Sequence, residues 1–191
     1  MTDPVRAIKT TTLADRWGLL QRHEFELRRR NGEWQHQIRE TYDRGDGAAI
    51  LLCDLSDGTV ILTRQFRYPA FYRGENPYVT EVCAGKLEGD DPETCVRKEA
   101  EEETGYRAGR LEKAFDLLMS PGSVTERLTL YVGFVDAPAG GAGGGLAHEG
   151  EDIEVIRLPF AEALRQVGTG EIADAKTVLL LQHAQLKRIF A

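Results

Sequence analysis

The sequence is poor in cysteine, has no long apolar run and lacks any surplus of basic residues. Three cysteines stand in 191 residues, at Cys53, Cys83 and Cys95. Their odd number and irregular spacing exclude a disulfide framework, and none belongs to a C-x-x-C pair, which excludes the common zinc and redox motifs. They read as buried thiols, and a cytoplasmic location is expected. No stretch is apolar for long enough to cross a bilayer as a helix, so no membrane is expected as partner. The opening MTDPVRAIKT lacks the apolar core of a signal peptide. A formal net charge of −7 argues against nucleic acid, which demands a basic footprint. It leaves room for a phosphorylated ligand held by local arginines or a divalent cation. The one basic run, Arg28 to Arg30, reads as the solvated end of a hairpin. No internal repeat is present, and the length fits one domain with a small appendage.

The first forty-odd residues read as strand. EFEL and WQHQIRETY alternate, and the Asn31-Gly32 pair between them is a two-residue hairpin signal. An N-terminal antiparallel ribbon over 1–44 is therefore expected before a main domain over 45–191. AAILLCDL and TVILTRQF are apolar runs joined by SDG and suit buried strands of a hairpin. YVTEVCAG is a short strand ending at Gly85. EKAFDLLMS and ERLTLYVGFVDA read as strands around the turn SPGS, and EDIEVIRLPF as another. Gly140 to Gly145 reads as a flexible loop. AEALRQVGTG and AKTVLLLQHAQLKRIF read as helices. The expected class is α/β (α+β), a mixed sheet flanked by helices.

One segment carries the chemistry: AGKLEGDDPETCVRKEAEEETGY, Ala84 to Tyr106. Asp91 followed by Pro92 is a helix start, and Gly105 is a helix stop. Between them, at helical spacing, Glu99, Glu102 and Glu103 share a face as i, i+3 and i+4, with Glu101 turned elsewhere. Val96 and Ala100 lie beside that face and can pack on a sheet. Carboxylates this dense repel one another unless a cation neutralises them, and Mg²⁺ prefers such oxygen ligands. A solvated acidic face partnered by Arg97 and Lys98 is the blander alternative.

The same segment resembles the signature of the Nudix hydrolases: Gly, five residues, Glu, seven residues, then Arg-Glu-apolar-any-Glu-Glu-any-Gly-apolar. Gly85 and the run from Lys98 to Tyr106 match it, with Lys98 in the place of Arg. Asp91 replaces the first Glu, and six residues rather than seven follow it. RQFRYP, MSPGSVTE, GEDIEVIRLPF and TGEIADAKTVLLL extend the likeness over nearly the whole chain, toward the branch of that superfamily that hydrolyses GDP-mannose, close to the ADP-ribose pyrophosphatases.

The resemblance implies a Nudix fold and Mg²⁺-dependent hydrolysis of the diphosphate of a nucleotide sugar, with Mn²⁺ as a substitute metal. It implies metal ligands at the Ala84 carbonyl, Glu99, Glu103 and Glu151, with Glu102 an auxiliary ligand or a carboxylate behind them. The general base falls on Glu103 or Glu151. Substrate contacts fall on Trp17, Ile38, Arg39, Glu40, Arg67, Ala84, Gly85, Lys86, Glu103, Glu126, Gly150, Glu151 and Lys176. It also implies a homodimer whose ribbon crosses to the second subunit, bringing Arg39 and Glu40 to the partner's site. ADP-ribose hydrolysis, or a non-catalytic module that binds a nucleotide sugar, are the alternatives.

Overall fold

A computed structural model describes residues 3–138, 141 and 143–191. Gly140 and Ala142 of the glycine run, and Met1 and Thr2 of the opening segment, lie outside the described residues. The chain divides into two units: the residues up to Asp46 with Leu118–Arg127, and Gly47–Leu117 with the residues from Leu128 on.

The first unit is a three-stranded antiparallel sheet, β1 (Val5–Asp15), β2 (Leu19–Arg28) and β3 (Trp34–Asp43), with β2 in the middle. It has one strand more than the expected ribbon of two. The β2–β3 hairpin keeps register from Leu19↔Asp43 to Arg28↔Trp34. Its connection is the five residues between Arg28 and Trp34, not a two-residue turn on Asn31-Gly32. Asn31 explains the difference: its Oδ1 accepts from Glu33 N at 3.1 Å and its Nδ2 donates to Glu33 at 2.7 Å. Gly32 takes the left-handed φ of 88° that the tip requires. The segment after Leu118 joins this unit through Tyr42, whose N–H donates to Ser123 O at 2.8 Å.

The second unit is built on a mixed sheet. β4 (Gly47–Asp54) lies at its centre, parallel to β9 (Arg127–Pro138) and antiparallel to β5 (Thr59–Phe66). β8 (Tyr106–Leu118) and β10 (Ile153–Pro159) complete the path β10-β5-β4-β9-β8. The run from Ala48 to Cys53 is fully buried, as expected of an apolar strand covered on both faces. Ala48, Ile50 and Leu52 pack with Val96 and Ala100 of the acidic helix. The alternate residues Ala49, Leu51 and Cys53 point the other way, where a C-terminal helix, α4 (Ala175–Leu186), lies against β4. The remaining helices are α1 (Tyr68–Tyr72), a single short element that no sequence signal announced, α2 (Pro92–Glu99) and α3 (Phe160–Thr169).

The β4–β5 hairpin opens as a fork. β5 pairs with β4 over Thr59–Ile61 and then turns to β6 (Tyr78–Glu81) over Thr63–Phe66. β4 in turn pairs over Gly47–Ile50 with β7 (Cys83–Lys86). The chain therefore changes ladders at Val82. The Val82 N–H leaves both ladders and donates instead to Thr177 Oγ1 at 2.8 Å.

Candidate active site

The acidic helix begins and ends where its sequence says. Asp91 Oδ1 accepts from Glu93 N at 3.0 Å and from Thr94 N at 3.1 Å, a satisfied N-cap. Gly105 closes it in the left-handed region, φ 71°. The interior differs from the expected uniform α-helix: from Ala100 to Thr104 the winding widens to a π-turn. Such turns recur at functional sites. Here the wider winding, not an ideal α-helical face, sets the directions of the glutamates. Glu101 is exposed and pairs with Arg107 at 3.2 Å, Glu102 is half-buried, and Glu103 is only 2% exposed. Arg97 is no mere counter-charge: besides Glu93 at 2.8 Å, its Nη1 donates to the carbonyls of Ala108 and Gly109, which ties α2 to β8.

β7 supplies the floor of the site. Ala84 N donates to Glu103 Oε2 at 3.3 Å. Glu99 lies across Gly85 so closely that a β-carbon there would fall 1.9 Å from Glu99 Oε1. Burial, and then the charges of Glu99 and Glu151, push the Glu103 carboxyl up to about 8, against the lowering pull of Ala84 N–H and Arg67. Glu103 thus feels Glu99 from the same helix and Glu151 from the segment before β10. Among the described residues no three acidic, His or Cys side chains converge as a metal cluster.

Glu151 follows Gly150, and its Oε2 accepts from Leu146 N at 2.9 Å. Two of the glycines before it are hydrogen-bonded to the acidic helix. Gly144 N donates to Glu103 O at 2.9 Å, and Gly145 N to Glu102 O at 3.1 Å. A β-carbon at Gly145 would lie 2.5 Å from Glu151 Oε2. Glycine serves close approach at Gly145 and a left-handed backbone, φ 103°, at Gly144.

Beside the carboxylates stands a second cluster that the sequence reading held only in part. Arg67 and Lys176 were expected there; the buried Glu81 that joins them was not. Arg67 makes a two-pronged contact with Glu81, Nε–Oε1 at 3.0 Å and Nη2–Oε2 at 2.6 Å. Lys176 Nζ reaches the same Oε2 at 3.2 Å and Asp174 Oδ1 at 2.8 Å. Asp174 Oδ2 also caps α4 through Thr177 N at 3.0 Å. Burial pushes Glu81 upward, but Arg67 and Lys176 outweigh it and hold its carboxyl below the ordinary value. A lone carboxylate inside the apolar YVTEVC run was the available signal, since a buried charge requires partners.

The remaining expected contacts divide by unit. Lys86 is exposed at the end of β7, and Gly150 ends the 3₁₀ turn Ala147–Glu149. Trp17, Ile38, Arg39, Glu40 and Glu126 belong to the first unit. There Trp17 is 75% exposed, and Arg39 and Glu40 line a cleft of about 640 Å³ with His23, Phe25 and Val124.

The fold and the carboxylate box define the class: residues 43–181 match the NUDIX domain, and the chain belongs to the Nudix family. Residues 4–42 match the GDP-mannose pyrophosphatase NudK N-terminal domain. The chain is 49% identical over 193 residues to the GDP-mannose pyrophosphatase of Pectobacterium atrosepticum, covering 100% of this chain and 99% of the relative. It is 46% identical over 191 residues to the enzymes of that name from Escherichia coli O157:H7 and Shigella dysenteriae serotype 1, covering 99% of each chain.

Proposed function

We propose that this chain hydrolyses the diphosphate bond of GDP-mannose with Mg²⁺, yielding GMP and mannose 1-phosphate. The observation that carries the reading is the placement of two glutamates on β7, Glu99 against Gly85 and Glu103 on the N–H of Ala84, with the charge of Glu151 felt at Glu103. It occurs in a chain similar over its full length to relatives named for that hydrolysis.

The donor set fits a hard divalent cation: three carboxylates whose mutual repulsion a cation would relieve, and the Ala84 carbonyl. Glu99, Glu103, Glu151 and that carbonyl would hold Mg²⁺, and Mn²⁺ would substitute. Bound there, the cation supplies neutralisation of diphosphate charge and Lewis acidity toward a water.

The chain's own groups do the rest. Arg67 and Lys176 hold phosphate oxygens, and the backbone at Gly85 and Lys86 lets the substrate approach closely. Glu103 or Glu151 accepts the proton of the attacking water as its oxygen bonds to phosphorus and the bridging P–O bond breaks. Glu102 supports the ligands. Trp17, Ile38 and Glu126 contact base or sugar. The protein acts as a cytoplasmic homodimer in which Arg39 and Glu40 reach the partner's site. Among the described residues no helix is long and apolar enough to cross a membrane.

The test is a substrate panel with Mg²⁺, comparing GDP-mannose, ADP-ribose, other nucleotide sugars and dinucleoside polyphosphates. The expected result is the highest kcat/KM for GDP-mannose. A preference for ADP-ribose would replace the substrate and leave the chemistry. Tight binding without hydrolysis across the panel would replace the enzyme with a nucleotide-sugar sensor.

A further inference from the structure

Glu81 sits at 5% exposure at the end of β6, one residue before the chain changes ladders. Its carbonyl accepts from Thr63 Oγ1 at 3.2 Å, which anchors the residue to β5. Its carboxylate occupies two of Arg67's donors, Nε and Nη2. A guanidinium has five, so Nη1 remains for another acceptor. The Arg67 side chain is 42% exposed, open to a ligand on that side, whereas Lys176 is 12% exposed. Both cations meet one oxygen, Glu81 Oε2, at 2.6 and 3.2 Å. They can be no further apart than those two distances laid end to end, close enough to touch a single diphosphate group. Asp174 fixes Lys176 from the other side while capping α4.

We infer that Glu81 is a positioning residue: it holds Arg67 and Lys176 as a fixed pair of cations matched to two adjacent phosphates. The inference rests on the proposed reading that these cations bind the substrate diphosphate. It adds what sets their spacing, and with it a preference for two phosphates over one. A long lysine or arginine side chain otherwise loses much rotamer freedom when it binds. A buried carboxylate that has already ordered both removes that cost from the binding step.

The test compares binding of GDP and of GMP, with Mg²⁺ present, to the wild type and to Glu81→Gln, which keeps shape and removes charge. Thermal unfolding checks that the variant is folded. GDP binding should weaken about tenfold and GMP binding no more than about threefold, since GMP offers one phosphate to the pair. kcat/KM for GDP-mannose should fall by a similar factor, mainly through KM. In an Arg67→Ala background, where only Lys176 of the pair remains for Glu81 to hold, Glu81→Gln should add about threefold, well short of its effect in the wild type. Equal weakening of GDP and GMP, or a full further loss in the Arg67→Ala background, would overturn the inference and leave a merely structural carboxylate. If Glu81→Gln does not fold, Glu81→Asp retains the charge one methylene further back and should lose part of the GDP-over-GMP preference. Wild-type discrimination in that variant would also overturn the inference. Hydrolysis by the wild type is a separate measurement, so a failed substrate assignment and a failed role for Glu81 are told apart.

Discussion

Glu99 Oε1 occupies the space beside Gly85 where any other residue would place its β-carbon, 1.9 Å away. The contact fixes the first carboxylate of the site against the backbone of β7. It also gives the signature glycine a steric reason: Gly85 has φ outside the left-handed region, so space rather than backbone freedom demands it.

Gly85→Ala should therefore displace Glu99 without destroying the fold. Overpacking of this kind costs about 1–3 kcal/mol, read as a modest fall in thermal midpoint, while kcat should drop at least about a hundredfold. An alanine variant with wild-type kcat would show that Glu99 need not lie there.

Three glutamates of the acidic helix, Glu99 at the end of α2 and Glu101 and Glu103 in the π-turn, should behave differently. Glu99→Gln and Glu103→Gln should each lose about a hundredfold or more in kcat while remaining folded. Glu101→Gln should be nearly silent, because Glu101 is exposed and its ion pair with Arg107 lies at the surface. Steady-state kinetics beside circular dichroism would decide it, and near-normal turnover in both of the first two variants would remove them from the metal site.

Protein treated with chelator should show the cost of crowding these charges. Glu103 is raised from 4.5 to about 8 in the folded state. A raised folded pKa gives stability that is complete below the unfolded value and is lost as pH rises through the folded one. The thermal midpoint of Glu103→Gln minus that of wild type should thus grow between about pH 5 and pH 8. Mg²⁺ added near pH 7 should also release protons, measurable as a buffer-dependent binding enthalpy. A pH-independent difference between the two proteins would place the Glu103 carboxyl at its ordinary value.

Complementation tests the homodimer. Arg39→Ala chains mixed with Glu103→Gln chains should recover activity, because one heterodimer site combines an intact ribbon with an intact carboxylate set. After verified subunit exchange, a mixture as inactive as its parents would show that Arg39 does not act across subunits.

Much of this was legible residue by residue. Asp91-Pro92 and Gly105 bracket the acidic helix because capping chemistry is local. Val96 and Ala100 meet the sheet because apolar spacing records a buried face. The π-turn was not legible: its widened winding goes with carbonyls at Glu102 and Glu103 that receive Gly145 and Gly144, partners some forty residues away. Glu81 was hidden for a like reason, since its partners Arg67 and Lys176 approach from separate elements. The Asn31-Gly32 signal located a hairpin but not its loop length, which the Asn31–Glu33 contacts decide.

Val82 stands between two ladders, with Glu81 of β6 paired to β5 and Cys83 of β7 paired to β4. One residue inserted at that joint would add about 3.3 Å of chain, a single strand step, which a bulge takes up. Both ladders could keep their register through such a change. The cation pair and the carboxylates would then keep their places, because β4 and β5 pair with each other and hold the two halves.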